Sequence, residues 1–370
     1  MTDGLTVCHV VNSVRDTSMP GDLATTQQNH EAIEDVGILA WFDVEPFRND
    51  DTVDIQCLNI PSGKLSINRG HYTRVKNVLR EYDVVHTHHS HSGFYGKLVA
   101  RRLGKPIVVT DHNNHDGFTR KGRVANGLTN VFADRVAPVS ESVRDSFGWW
   151  ERQLVDDIKV GVINNGVDLE RLERAKSLDW SIHDVVDIES NAVIVGSAGM
   201  LVEQKAPDVL IDAVDRANER SERPIALVIS GAGELRDELE AQIAASDHSD
   251  QLHLLGFLDE CEQVYKMMDE IDVYAMPSRW EGFCVAALEA MAIGNACVFS
   301  NIPEFKRPFW TAARFHERDD PDDLADELVG LASDSDLRAD FVGKARQLVS
   351  EKYTIERTAE QYVDCYREIT

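Results

Sequence analysis

An alternation that runs through most of the chain constrains its fold more than any other feature. Short, nearly continuous apolar runs take turns with longer amphipathic stretches. In the first half the apolar runs read LTVCHVV, VDIQCLNI, DVVHTH, PIVVT and RVAPVS, with stretches of helical period such as HYTRVKNVLREY and FYGKLVARRL between them. In the second half they read NAVIVGSAG, PIALVISG, LHLLGF, IDVYAMPS and ACVFS, with APDVLIDAVDRANER and GELRDELEAQIAA as partners. Strands that are apolar on both faces and alternate with helices form parallel sheets covered on both sides. Two such series in 370 residues, too long for one ordinary core, predict an α/β protein of two Rossmann-like, doubly wound domains. The polar stretch VDLERLERAKSLDWSIHDVVDIES interrupts the alternation and marks the boundary. The expected domains are residues 1–172 and 190–350, followed by a last helix over 351–370. Such folds bind ligands at the C-terminal ends of their strands, which predicts a site in a cleft that both domains face.

Charge narrows the function. The formal net charge is −26, and it is uneven: residues 1–175 hold 20 Lys and Arg against 24 Asp and Glu, residues 176–370 hold 18 against 40. A surface this acidic disfavours nonspecific binding to nucleic acid and favours solubility. Arginine (26) outnumbers lysine (12), and an acidic, lysine-poor surface suits a halophilic cytoplasm, where salt screens self-repulsion. No run approaches 18 consecutive apolar residues, so no membrane span is expected. The start, MTDGLTVCHVVNS, lacks the basic head and long apolar core of a signal peptide. The six cysteines are scattered without a CxxC pair, as expected for reduced thiols in a cytoplasm.

The chemistry concentrates in PSRWEGFCVAALEAMAIG, Pro277 to Gly294. A strand ends at Ser278, Gly282 permits a tight turn and close approach to a ligand, and a nearly all-apolar helix begins near Cys284. The amides of Phe283, Cys284 and Val285 then lie at the positive end of a helix dipole, where a phosphate binds. Glu281 sits at the lip of that turn, placed to accept from hydroxyls. Glu289 sits a turn deeper among apolar neighbours, placed to hold two ribose hydroxyls. A favourable charge at the helix start and a buried ion-pair partner explain the same two residues, and the sequence leaves both accounts open.

Glu281 and Glu289 with seven residues between them resemble the signature of family 4 glycosyltransferases, retaining enzymes of the GT-B fold. VAPVSES, VINNGVDLERL, GSAGMLVEQKAPDVLIDA, ISGAGELRDELE and LHLLGFLDECEQVYKMMDEIDVYAMPSRWEGF follow in the family's order. The resemblance is strongest from Val160 to Asn301. It implies that Glu289 binds the ribose of a nucleotide-sugar donor and Glu281 the hydroxyls of the transferred sugar. Lys205 would neutralise the departing diphosphate together with the amides from Gly282 onward, without a metal. Gly231 and Gly233, in ISGAGE, would border the donor. His88, ending DVVHTH, is implied as a catalytic residue facing the acceptor side, and His112, ending the next strand, as an acceptor-side neighbour. The last helix, YTIERTAEQYVDCYREI, would cross back to the first domain.

Two positions depart from the family pattern. Met200 stands where an arginine is usual, and methionine cannot neutralise phosphate. In SMPGDLA, expected to be a glycine-rich donor loop, Gly21 is kept but Pro20 replaces a second glycine. His86, His88, His89 and His91 in VVHTHHSHSG offer a zinc alternative, since His86 and His88 alternate on one strand face, but no carboxylate ligand pattern accompanies them. The basic pieces ARRLGK and TRKGRV could meet anionic lipid headgroups or form ordinary solvated faces. The expected protein is therefore a cytoplasmic retaining hexosyltransferase, with peripheral membrane contact at most. It would move a sugar from a nucleoside diphosphate to a glycan, lipid-linked or small-molecule acceptor, with no cofactor or metal. A nucleotide-sugar epimerase, a phosphorylase and a noncatalytic binder of the same fold are the rivals. A dehydrogenase is disfavoured because no GxGxxG follows the first strand.

Overall fold

The computed structural model describes residues 4–15, 19–45, 52–61, 68–115, 120–155 and 159–370. Met1, Thr2 and Asp3, on which the reading of the N-terminus drew, lie outside these residues, as do Ser18 of SMPGDLA and Thr119 of TRKGRV. The chain divides into two compact units: Met1–Gly166 with Ile355–Thr370, and Val167–Thr354.

The first unit holds a parallel sheet of β1 (Leu5–Val11), β2 (Ile33–Ala40), β3 (Asp54–Cys57), β4 (Val84–Thr87), β5 (Ile107–Asp111) and β6 (Arg135–Pro138). Its order is β3-β2-β1-β4-β5-β6. The chain winds outward from β1 to β3 and then returns to lay β4 against the other side of β1. The order thus reverses between β1 and β4, where doubly wound sheets open a crevice. The helix Ile355–Ile369 buries Ile355, Ala359, Tyr362, Val363 and Tyr366, a stripe at helical spacing. That stripe shares a core with Val7, Ile38, Val84 and Val108 and packs beside the helix Met19–Gln28.

The second unit repeats the plan with β7 (Val193–Ala198), β8 (Ile225–Ser230), β9 (Leu252–Gly256), β10 (Val273–Met276), β11 (Ala296–Ser300) and β12 (Arg314–His316). The order is β12-β11-β10-β7-β8-β9, all parallel, so the reversal falls between β7 and β10. Val195, Leu227, Val273 and Val298 of the sheet pack with Leu210, Val214, Leu324 and Leu328 of the covering helices. Among the described residues no helix is long and apolar enough to cross a membrane. All six cysteines are free thiols, and Cys8, Cys261, Cys284 and Cys297 are buried.

The structure corrects three expectations. The division falls at Gly166/Val167 and Thr354/Ile355, not at 172, 190 and 350. The reason is pairing: the Glu270 carboxylate accepts from Ser181 Oγ at 3.0 Å and from the Ile182 amide at 2.8 Å. Arg171 Nη2 reaches Cys261 Sγ at 2.7 Å, so the polar stretch is anchored on the helix Cys261–Glu270. Next, the Met19–Ala24 part of SMPGDLA is no loop. Met19–Gln28 is a helix with Pro20 and Gly21 buried in its first turn, where proline costs no hydrogen bond. Finally, β2 and β12 add a strand to each series.

Candidate active site

The second unit gathers its chemistry on the loops that leave β7, β8 and β10 at their C-terminal ends. The loop after β10 is tied to the loop after β7. The Arg279 amide donates to the Gln204 carbonyl at 2.8 Å, and Gln204 Nε2 donates back to the Trp280 carbonyl at 3.0 Å. The Arg279 guanidinium adds bonds to Asp319 at 2.6 Å, Asp208 at 3.0 Å and the Glu203 carbonyl at 2.7 Å. This lacing brings Lys205 Nζ to Glu281 Oε1 at 2.6 Å. Glu281 is 5% exposed. Burial works against the charge on Lys205, and the bond to the neighbouring Glu281 carboxylate works in its favour. Burial pushes the Cys284 thiol up to about 12, so it is neutral and leaves the ion pair as the local charge.

The helix Val285–Ile293 starts beside this pair. Its cap residue, Cys284, makes no side-chain cap hydrogen bond, so no carboxylate or hydroxyl of the cap residue sits at the positive end of the helix. Phe283 is buried, its ring 5.6 Å from that of Tyr353 and 6.1 Å from that of Phe309. Its side chain is therefore a core group, and only its backbone is available to a ligand. Glu289, on the same helix, accepts from Tyr265 Oη at 2.8 Å through Oε1. Burial raises its pKa, while Tyr265 and the charge of Arg171 oppose the rise. Arg171 lies over the Tyr265 ring at 5.5 Å. The structure thus supplies the partners that a carboxylate in an apolar helix requires.

Gly231 and Gly233 serve a close approach between loops. A Cβ on Gly231 would stand 1.8 Å from the Gly199 carbonyl oxygen, and one on Gly233 would stand 2.2 Å from that of Leu201. The loop after β8 therefore lies backbone to backbone on the segment that leads to Lys205. Met200, in that segment, is 61% exposed.

In the first unit, His9 on β1 and His86 on β4 are in register, and His88 follows on the same face. His9 Nδ1 lies 2.8 Å from His88 Nε2, and His9 Nε2 lies 2.8 Å from Gln27 Oε1. His88 Nδ1 lies 3.2 Å from His112 Nε2. His86 reaches Tyr366 Oη at 2.6 Å and Thr110 Oγ1 at 2.7 Å. Ring nitrogens of His9, His86 and His88 all lie within 4.8 Å of one another, a spacing that fits a metal ion. Each of those nitrogens with a partner above is, however, already engaged by a hydroxyl, an amide or another imidazole. His88 touches His112, whereas His91 lies apart from this chain, its ring 5.3 Å from that of Phe42.

These imidazoles set an acid limit on stability. Burial lowers the pKa of His9 and His89 to about 4 and of His112 to about 3. It also lowers His86 and His88 well below the ordinary value, with repulsion from neighbouring imidazoles adding to the effect. A histidine kept neutral in the fold binds fewer protons than in the unfolded chain, so its contribution is present above about pH 6.5 and is lost as the pH falls towards 4. For His9 alone the loss is roughly 3 kcal/mol. His115 has the opposite sign. Burial disfavours its charge, but Asp111 and Glu151 outweigh burial and raise its pKa to about 9, so its contribution is lost as the pH rises through 9. The urea midpoint is expected to peak near neutrality and fall steeply below pH 6. A flat profile from pH 7 to pH 4.5 would contradict the neutral cluster.

Sequence reasoning missed the partners. Tyr265 and Arg171, which hold Glu289, lie 24 and 118 residues away from it, although the apolar spacing of Leu169, Leu172 and Ala175 already marks a short helix carrying Arg171. His9, Gln27 and Tyr366 left no local signal.

Comparison with known proteins fits this geometry. A family model described as glycosyl transferases group 1 matches residues 179–348, and one described as glycosyltransferase family 4 matches residues 35–171. The chain is 32% identical over 232 residues to the UDP-Gal:alpha-D-GlcNAc-diphosphoundecaprenol alpha-1,3-galactosyltransferase of Escherichia coli, covering 60% of this chain and 58% of that enzyme. The chain thus spans a little over half of that relative. It is 23% identical over 332 residues to the O-antigen biosynthesis glycosyltransferase WclY of Escherichia coli, covering 87% of this chain and 88% of that protein. Among solved structures, Anabaena HepE in complex with UDP and glucose superimposes with a TM-score of 0.80 at 18% identity, over 98% of this chain and all of HepE. The fold is that of the GT-B enzymes. The chain carries a domain that matches glycosyl transferases group 1 over residues 179–348, and its match to glycosyltransferase family 4 spans residues 35–171.

Proposed function

We propose that the chain transfers a sugar from a nucleoside diphosphate donor to a hydroxyl of its acceptor, with retention at the anomeric carbon. The observation that carries this reading is the Lys205–Glu281 pair standing beside the uncapped start of the helix that bears Glu289. Lys205 and the first-turn amides meet the diphosphate, whose charge grows as the glycosidic bond breaks. Glu289, with Oε1 fixed by Tyr265, offers its other oxygen to the ribose. Glu281 exchanges its bond with Lys205 for the hydroxyls of the transferred sugar. Both carboxylates are engaged by donors within the protein, which suits binding better than the acid and nucleophile roles of glycosidase carboxylates. UDP is the carrier nucleotide of first choice, because it is named for the galactosyltransferase relative and for the HepE complex.

A thermal-shift series with UDP-, GDP- and ADP-sugars tests this directly, since a ligand that binds the folded state raises the melting temperature by mass action. One donor series is expected to raise it by several degrees, and the rise is expected to persist in EDTA. Glu289→Gln is expected to abolish most of it while leaving the unliganded melting temperature within a few degrees of wild type. An unchanged shift in that variant would refute the ribose assignment.

A further inference from the structure

The buried imidazoles of the first unit form one connected chain with a direction. Gln27 Oε1 can only accept, so His9 must carry its proton on Nε2, 2.8 Å away. His9 Nδ1 is then a lone pair, and His88 must donate to it from Nε2. That leaves His88 Nδ1 as an acceptor, to which His112 donates from Nε2. On its other side the Gln27 amide donates to Tyr366 Oη at 3.1 Å, which frees the Tyr366 proton for His86 Nδ1. One amide therefore sets the tautomers of His9, His88 and His112. His88 is 3% exposed and has both ring nitrogens occupied, so it offers nothing to a ligand. The partly exposed end of the chain is His112, and the nitrogen it has left is Nδ1. His89, also partly exposed, stacks on His112 with ring centroids 5.9 Å apart. It accepts from the Asn12 amide through Nδ1, so its Nε2 carries a proton. Asn12, His89 and His112 follow the C-terminal ends of β1, β4 and β5, at the reversal of strand order where such sheets bind ligands.

We propose that Gln27 and Tyr366 are positioning residues that lock this chain in one direction, so that His112 Nδ1 accepts from, and His89 Nε2 donates to, the hydroxyl of a bound sugar. His112, not His88, is the histidine that touches the ligand. The chain orients and does not conduct protons, because a carboxamide oxygen at its inner end is too weak a base to take one. The identity of the ligand rests on the transfer reaction proposed above. The order of the tautomers stands without it.

Nitrogen NMR on protein with 15N-labelled histidine reads the tautomer of each ring without any assay of transfer. His9, His88 and His112 are expected to be protonated on Nε2 in the wild type. D-Glucose is expected to move the His112 Nδ1 resonance. Gln27→Met removes the amide, and His112 is expected to become a mixture of both tautomers with an unchanged circular dichroism spectrum. Transfer should then fall roughly tenfold, the worth of one misdirected hydrogen bond, with donor KM unchanged. Should Gln27→Met not fold, the wild-type spectrum and the glucose titration decide alone. Protonation of His88 or His112 on Nδ1 would overturn the proposal, since turning the Gln27 amide over reverses every bond. An ion bound stoichiometrically by His9, His86 and His88 would overturn it too. A failed donor screen with the expected tautomers would instead refute only the transfer reading.

Discussion

Lys205→Ala is expected to lower kcat by about a hundredfold to a thousandfold, the usual cost of removing one preorganised group from developing negative charge. Donor KM should change far less, because the diphosphate gains its full charge only as the bond breaks. No arginine stands at position 200 to share the load, since Met200 is exposed there. The variant also strands the buried Glu281 carboxylate that Lys205 pairs at 2.6 Å, at a cost of roughly 3 kcal/mol in stability. The two effects separate in the double variant Lys205→Ala/Glu281→Ala, which should recover the melting temperature and not the rate. Steady-state kinetics with the matched donor, beside thermal melts, reads both. Near-normal kcat in Lys205→Ala would mean that another group holds the diphosphate.

Gly231→Ala should do as much damage without touching a charge. The new methyl would sit 1.8 Å from the Gly199 carbonyl oxygen, at a backbone φ of +151° that side chains seldom adopt. Backbone is on both sides, so no flexible side chain can yield. A destabilisation of about 4 kcal/mol or more is expected, at the upper end of what single substitutions cost. Activity should fall with it, because the displaced segment carries Lys205. Gly330→Ala is the control: it lies in the helix Pro321–Ser333 with nothing within 4 Å of the new carbon. There alanine should stabilise by up to about 1 kcal/mol. If urea unfolding finds the two variants alike, the loops do not lie on each other as described.

Much of this was legible in the sequence where the determinants are local. LTVCHVV and ACVFS are strands residue for residue, because an apolar run bounded by polar ends has few other ways to bury itself. β2 escaped because the exposed Glu34 and Asp35 interrupt the start of its apolar run, and β12 because it is three residues long. In the site, Glu281, Glu289 and Lys205 stood out within short segments of marked character. Their supports did not. Nothing near Glu289 announces Tyr265, and nothing near His9 announces Gln27, because side-chain pairing across a fold leaves no trace in local periodicity. The polar stretch after Val167 was misjudged for a related reason. It looks solvent-bound until the Glu270 carboxylate is seen to hold the Ser181 hydroxyl and the Ile182 amide.

The tyrosines of the last helix bear on the order of events during synthesis. Tyr366 closes the bond network around His86 across 280 residues, and Tyr362 reaches Thr110 across 252. The whole of Val167–Thr354 is made in between and has a core of its own. Although it is translated first, the N-terminal unit therefore completes the core over β1 and β4 only after the later unit has been made, and the later unit can fold ahead of it. The span itself adds little, since closure entropy grows only with the logarithm of length. What the arrangement imposes is a delay, because the bonds of His86 and Thr110 to Tyr366 and Tyr362 close only once the last sixteen residues arrive.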